Sequence, residues 1–151
     1  MKRGRVFAHI FEINSFEVKA YLLPGTDSLI QGHIKGISKI ARIGSYVIVN
    51  SAGTKLVGIV NSLHVTEPEK LYWIRTKPEL KDNQLIRIIV ITLIGQFYYN
   101  NKNELLFERG INSYPSIDEE VIAPTQDELN LILNERMESD TKLLELGVSY
   151  P

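Results

Sequence analysis

The fold of this chain is decided by residues 85–99, which read LIRIIVITLIGQFYY. The stretch is dominated by β-branched and aromatic side chains, which pack well on a pleated sheet, so it predicts the longest strand of the protein. Its most apolar part, Ile88 to Ile94, includes Thr92 and is far shorter than the ~20 residues that a membrane-spanning helix needs. Gly95 predicts a kink in this strand or a break that divides it in two.

Shorter strand-like segments separated by turn residues precede and follow this stretch. Residues 6–13 and 16–22 predict a hairpin around Asn14 and Ser15, and residues 45–50 and 55–60 predict a second hairpin. Gly58 lies inside the second hairpin and predicts a bulge or a close approach of another backbone. A turn at residues 100–103 leads into a strand over residues 104–108, and residues 120–123 form the last candidate strand.

About eight short strands without helices between them favour a small closed β-barrel over alternating βαβ units. Closure also removes the exposed edges that so apolar a set of strands would otherwise present. We therefore predict a mainly β protein with a barrel domain over residues 1–124. Residues 125–151 are predicted to be a C-terminal helical segment and a linker.

The start of that helix is marked by a capping box, Thr125-Gln126-Asp127-Glu128. In this motif the Thr hydroxyl accepts a hydrogen bond from the Glu amide, and the Glu side chain reaches back to the Thr amide. Apolar residues then follow at helical spacing and predict a helix over residues 126–138; they are Leu129, Ile132, Leu133 and Met137. Ser139 and Asp140 predict a turn or the start of a second short helix.

Composition excludes several classes of site. The 151 residues contain no cysteine, which excludes disulfides and thiolate metal sites. His9, His33 and His64 are scattered without zinc-type spacing, so we expect neither a metal nor a cofactor. The basic N-terminus resembles the start of a signal peptide, but His9 and Glu12 interrupt the apolar segment that follows. A soluble, cytoplasmic protein is therefore predicted, with no membrane partner.

Charge is unevenly spread along the chain. Residues 1–44 hold seven Lys and Arg against three Asp and Glu, whereas residues 100–151 hold four against eleven. Such polarity suits head-to-tail packing between like subunits. On charge alone, an ordinary solvated acidic helix at the C-terminus is the preferred interpretation.

No catalytic constellation is recognisable in the sequence. The order Gly53-Thr54-Lys55 is wrong for a phosphate-binding loop, and it falls between two predicted strands. Glu119 and Glu120 are adjacent, so in a strand their carboxylates would point to opposite faces. We predict that this chain has no catalytic residue and is not an enzyme.

The aromatic residues allow two interpretations. Phe97-Tyr98-Tyr99 and Tyr72-Trp73 are of the type that stacks nucleic-acid bases, but no basic residue accompanies the first group around residues 94–101. Packing in the barrel wall is the preferred interpretation. The alternative is an OB-like module that binds single-stranded nucleic acid by itself, in a salt-dependent manner.

Several motifs, taken in order, resemble the HAS-barrel, the N-terminal domain of HerA-like hexameric DNA-translocating ATPases. The resemblance covers roughly residues 4–147 and rests on GRV (4–6), IGSYVIV (43–49), LVGIV (56–60), LIG (93–95), FERGI (107–111) and YP (114–115), followed by Val121, Pro124-Thr125 and Glu128-Leu129. The motif residues expected to be structural are Gly44, Gly58, Gly110, Pro115, Thr125 and Glu128.

The resemblance implies a role in assembly. Barrels of this family form a ring on one face of the hexamer and dock a nuclease of the NurA type or, in antiphage defence complexes, a sirtuin-like or other effector. The ATPase motor that contacts DNA would follow Pro151, so the chain is expected to be an excised domain. Residues proposed for the partner or subunit interface are Phe97, Tyr98, Tyr99 and Arg109, the three aromatics on condition that they are exposed.

Overall fold

The computed structural model describes residues 6–23, 42–71, 73, 77, 80 and 85–145. These residues form seven strands, a short 3-10 helix and one α-helix, against about eight strands predicted for the whole chain. In chain order they are β1 (Val6–Asn14), β2 (Glu17–Leu22), β3 (Tyr46–Ser51), β4 (Thr54–Thr66), the 3-10 helix (Pro68–Lys70), β5 (Ile86–Tyr99), β6 (Leu105–Arg109), β7 (Glu120–Ile122) and α1 (Gln126–Glu145).

Six of the strands close into an antiparallel barrel, as predicted. The order around the barrel is β1, β7, β3, β4, β5 and β2, and β2 pairs with both β5 and β1 to complete the ring. Within the described residues β6 pairs with β5 alone and lies outside the ring. The predicted hairpins β1–β2 and β3–β4 are both present.

Period-two alternation divides the apolar side chains between the inside and the outside of the barrel wall. Inward-facing residues such as Ile10, Leu56 and Ile91 form the barrel core. A second cluster lies outside the wall under β6 and α1 and includes Phe97, Phe107 and Ile132. A third cluster, around Tyr21 and Ile88, lies outside the wall beneath residues that follow β4.

Gly58 and Gly95 are the two strand glycines that the packing requires. A Cβ on Gly58 would lie 2.3 Å from Cγ2 of Ile91, and the β4–β5 register shifts between Val57 and Gly58. The predicted bulge and close approach are therefore both confirmed. Gly95 does not divide β5, which runs unbroken from Ile86 to Tyr99.

Helix α1 is longer than the sequence predicted. It continues without interruption to Glu145, so the turn or second helix predicted at Ser139 and Asp140 is wrong. Serine and aspartate inside a helix cost less than about 0.7 kcal/mol each, which is too little to end one. The apolar stripe is also only partly buried, because Ile132 packs on the barrel wall while Leu133 and Met137 are exposed.

Some sequence predictions fall outside the described residues: the basic N-terminus before Val6, His33, Tyr72, and the end of the chain after Glu145. No helix in the described part of the chain combines the length and the apolar character needed to cross a membrane.

Candidate functional site

The β5–β6 hairpin extends past the end of the barrel. The described pairing of β5 with β4 stops at Gln96, and its pairing with β2 covers only residues 88–92. Beyond Gln96, among the described residues, β5 pairs with β6 alone, through the pairs Phe97–Phe107, Tyr98–Leu106 and Tyr99–Leu105. Residues 97–107 are called the projecting hairpin below.

The tip of the projecting hairpin is held in one conformation by Asn100. Its Oδ1 accepts hydrogen bonds from the amides of Lys102 and Glu104, each at 2.9 Å. The amide of Asn103 donates to the carbonyl of Asn100, and Asn103 has φ 61°, a left-handed conformation that asparagine tolerates. The tip is therefore a turn with satisfied backbone groups, which suits a rigid contact surface.

The three consecutive aromatics of the projecting hairpin have different surroundings. Phe97 is buried and meets Phe107 edge to face, with the ring centroids 5.9 Å apart. Phe97 therefore does not meet the condition of exposure on which it was proposed as an interface anchor. Tyr98 and Tyr99 do, since they are 37% and 67% exposed. The difference arises because the side chain of Phe97 packs with Ile132 of α1 against the barrel wall.

Arg109 connects the base of the hairpin to α1. Its Nε donates to Oε2 of Glu135 at 3.3 Å, so this guanidinium pairs with a helix carboxylate. Half of the Arg109 side chain remains exposed. On the other face of the hairpin, Gln96 donates to Glu108 and accepts from the amide of Asn112, which ties the following loop to β5.

The predicted capping box is confirmed in both of its hydrogen bonds. Oγ1 of Thr125 accepts from the Glu128 amide at 3.1 Å, and Oε1 of Glu128 accepts from the Thr125 amide at 2.8 Å. The other carboxylate oxygen of Glu128 accepts from Nζ of Lys55 at 2.6 Å. This ion pair attaches the start of α1 to β4, and the sequence carried no signal for it because the partners are 73 residues apart.

The remaining motif residues lie at chain reversals. Gly44 and Gly110 have φ of 91° and 86°, in the left-handed region that glycine occupies without a steric penalty. Pro115 is buried in the loop between β6 and β7. These positions lie in the loops at the ends of strands.

The described residues contain no group of three or more His, Asp or Glu side chains placed to hold a metal ion. Glu119 accepts a hydrogen bond from the amide of Ser116, which makes it part of the loop before β7. His9 packs near Tyr21, with ring centroids 6.0 Å apart, and Nε2 of His64 lies 3.1 Å from Oγ of Ser62. Both histidines belong to the outer wall of the barrel.

No protein-family model matches this sequence, and none of the curated proteins is significantly similar to it.

Proposed function

We propose that this chain is the non-catalytic assembly and partner-docking barrel of a HerA-like DNA translocase that works in the cytoplasm. A closed six-strand barrel followed closely by a helix is the architecture that the HAS-barrel resemblance implies. The motor domain that translocates DNA would follow Pro151.

The observation that carries the docking role is the projecting hairpin. It presents Tyr98 and Tyr99 to solvent on a strand pair whose base is anchored by the buried Phe97–Phe107 contact. Tyrosines at binding hot spots supply large contact areas, and a rigid support lowers the entropy lost on binding. Because the two rings lie on opposite faces of the strand pair, the arrangement favours a protein partner that encloses the hairpin from both sides.

Charge around the hairpin indicates the character of the partner surface. On and beside it, Glu104 and Glu108 are balanced by Lys102 and Arg109, but residues 100–151 as a whole are strongly acidic. A complementary partner would present a basic rim, which raises the association rate more than the affinity. The basic first third of a neighbouring subunit in a hexameric ring meets this requirement, and so would a basic face on a NurA-type nuclease or a sirtuin-like effector.

Removing both exposed rings, by Tyr98→Ser with Tyr99→Ser, is expected to abolish capture of the docked protein. Loss of two hot-spot tyrosines weakens binding a hundredfold or more, at about 2 kcal/mol for each ring. The folded chain is used as bait in an extract of its source cells, and the captured proteins are quantified by mass spectrometry. Urea unfolding should show a change in stability of less than about 0.5 kcal/mol, because both rings are at the surface.

The matched control is Phe16→Ser with Tyr114→Ser, a second aromatic pair in which each ring is 53% exposed. This variant should retain the partner. Equal capture by the hairpin variant and the wild type would show that the projecting hairpin does not dock the partner. Equal loss in both variants would mean that the captured protein recognises exposed aromatics without specificity.

Membership of a translocase is tested separately by the coding sequence downstream of Pro151. The proposal expects a G-x-x-x-x-G-K-[ST] loop at a strand–helix junction within a few tens of residues, since the motor of such an ATPase needs this phosphate site. A stop codon directly after Pro151 would contradict the translocase assignment.

A further inference from the structure

A cleft on the outer wall of the barrel brings together residues that are far apart in the sequence. Strand pairing places His9, Tyr21, Ile88 and His64 side by side across β1, β2, β5 and β4. Three residues that follow β4 pack over part of this row: Leu71, Trp73 and Leu80. The remaining space is a cleft of ≈ 490 Å³, called the Trp73 cleft below.

Aromatic rings line one side of the Trp73 cleft. Phe11 and Trp73 are stacked, with centroids 4.6 Å apart and an angle of 27° between the ring planes. Tyr21 lies beneath them, fully buried, with its centroid 5.3 Å from that of Trp73. Because Phe11 and Trp73 are only half-buried, part of their ring surface forms the wall of the cleft.

Cations outnumber anions among the residues that line the cleft. The charged side chains are Lys19, Lys70 and Lys77 against Glu12 and Asp118, and the imidazole of His64 also lines the cleft. Lys19 pairs with Glu12 at 3.3 Å, and Lys77 pairs with Asp118. Both carboxylates are thus neutralised. Lys70 is exposed and has no acidic partner among the residues that the structure describes.

We infer that the Trp73 cleft binds a nucleotide unit, with the base against the Phe11–Trp73 rings and the phosphate near Lys70. Base–aromatic stacking beside a cationic backbone site is how single-strand-binding proteins hold successive nucleotides. A cleft of this volume falls within the roughly 300–1,000 Å³ of small-molecule sites, so it accommodates one nucleotide and not a duplex. An apolar peptide would pack against the rings but would leave the charge of Lys70 without a partner.

The cleft combines aromatic rings with an adjacent cation, whereas residues 94–101 contain aromatic residues but no basic residue. The cleft and the projecting hairpin lie at opposite ends of β5, since Ile88 lines the cleft and Tyr99 lies on the hairpin. Nucleotide binding and partner docking are therefore separable, and neither inference depends on the other.

Trp73 is the only tryptophan of the chain, so its fluorescence reports directly on the cleft. The full chain is titrated with a single-stranded dT10 oligonucleotide, with dTMP and with inorganic pyrophosphate. We expect saturable quenching by dT10, by dTMP or by both, and none by pyrophosphate, which has no base to stack. For dT10, log Kd should rise with log salt concentration with a slope of about 0.7–1.4, as expected for one or two phosphate contacts on a single strand.

Two variants separate stacking from charge. Phe11→Leu keeps an apolar side chain but removes the ring, and Lys70→Ala removes the unneutralised cation; each should raise Kd at least fivefold. Their matched controls on the projecting hairpin are Tyr99→Leu and Lys102→Ala, which should leave Kd within twofold of the wild type. Because Phe11→Leu alters the surroundings of Trp73, its Kd is measured by the anisotropy of fluorescein-labelled dT10.

The pattern of ligands identifies the source of the nucleotide. Binding of dTMP as tightly as dT10 indicates a free mononucleotide, whereas binding of dT10 alone indicates a nucleic-acid strand. Absence of binding for both at 1 mM would overturn the inference. So would quenching by pyrophosphate, or equal losses of affinity in Lys70→Ala and Lys102→Ala, because a diffuse charge effect would then explain the binding.

Discussion

Gly95→Ala is expected to lower the free energy of unfolding by about 3 kcal/mol, at the upper end of the usual cost of overpacking. The new Cβ would lie 2.2 Å from the carbonyl oxygen of Glu108 and 2.6 Å from the Phe107 ring. The carbonyl belongs to a strand that is paired with β5 at this position, so it cannot retreat without breaking the β5–β6 ladder. The melting temperature should fall by about 10 °C for a domain of this size.

Two further variants test whether steric overlap causes the loss of stability in Gly95→Ala. Gly110 has a positive φ, and a Cβ added there would meet no atom within 4 Å beyond its chain neighbours. Gly110→Asn should therefore cost less than about 1 kcal/mol, since asparagine tolerates this conformation. Adding Phe107→Leu to Gly95→Ala relieves the ring contact but not the carbonyl contact, and should recover only part of the loss. A Gly95→Ala protein within 1 kcal/mol of the wild type in urea unfolding would show that β6 is not held against β5 as described.

Glu128→Ala is expected to destabilise the chain by about 3 kcal/mol. Loss of a helix cap costs about 1 kcal/mol, and removal of one partner from a buried ion pair costs about 3–5 kcal/mol. The second contribution is reduced because the Lys55 side chain is 39% exposed and can return to water. Chemical denaturation monitored by circular dichroism measures the sum.

A double-mutant cycle separates the cap from the ion pair. Glu128→Gln retains an oxygen that can accept from the Thr125 amide but loses the charge. It should therefore destabilise the chain about half as much as Glu128→Ala. Lys55→Met leaves the buried carboxylate without its cation, and the two changes together should be less harmful than the sum of each alone. A coupling energy of about 1–2 kcal/mol is expected between residues in direct contact. Additivity within about 0.3 kcal/mol would show that the ion pair contributes nothing to the attachment of α1.

Local patterns were sufficient for much of the fold. The hairpins β1–β2 and β3–β4 follow from short alternating segments joined by turn residues, and closure follows from their number and their apolar character. The capping box was predictable in atomic detail because Thr125 and Glu128 are three residues apart and need only a helix between them. The end of α1 was not, because Ser139 and Asp140 are weakly unfavourable in a helix and do not stop it.

The surroundings of individual aromatics could not be predicted from the same patterns. Alternation places Phe97 and Tyr98 on opposite faces of β5, but only the docking of α1 determines that the Phe97 face is covered. Gly95 was recognised as unusual, yet the reason for it is the approach of the Phe107 ring and the Glu108 carbonyl from β6. Both outcomes depend on which surfaces pack together across the barrel wall.

The fold and the candidate sites likewise differ in how much of each the sequence determines. The sequence alone was enough to identify a closed β-barrel with a capped helix, because turn chemistry, strand alternation and capping act within a few residues. Tertiary structure alone joined Lys55 to Glu128, left Tyr98 and Tyr99 exposed beyond the barrel, and assembled Phe11, Trp73 and Lys70 around one cleft. The physical reason is that these contacts join segments distant along the chain, and only barrel closure and the packing of elements on its outer wall bring such segments together.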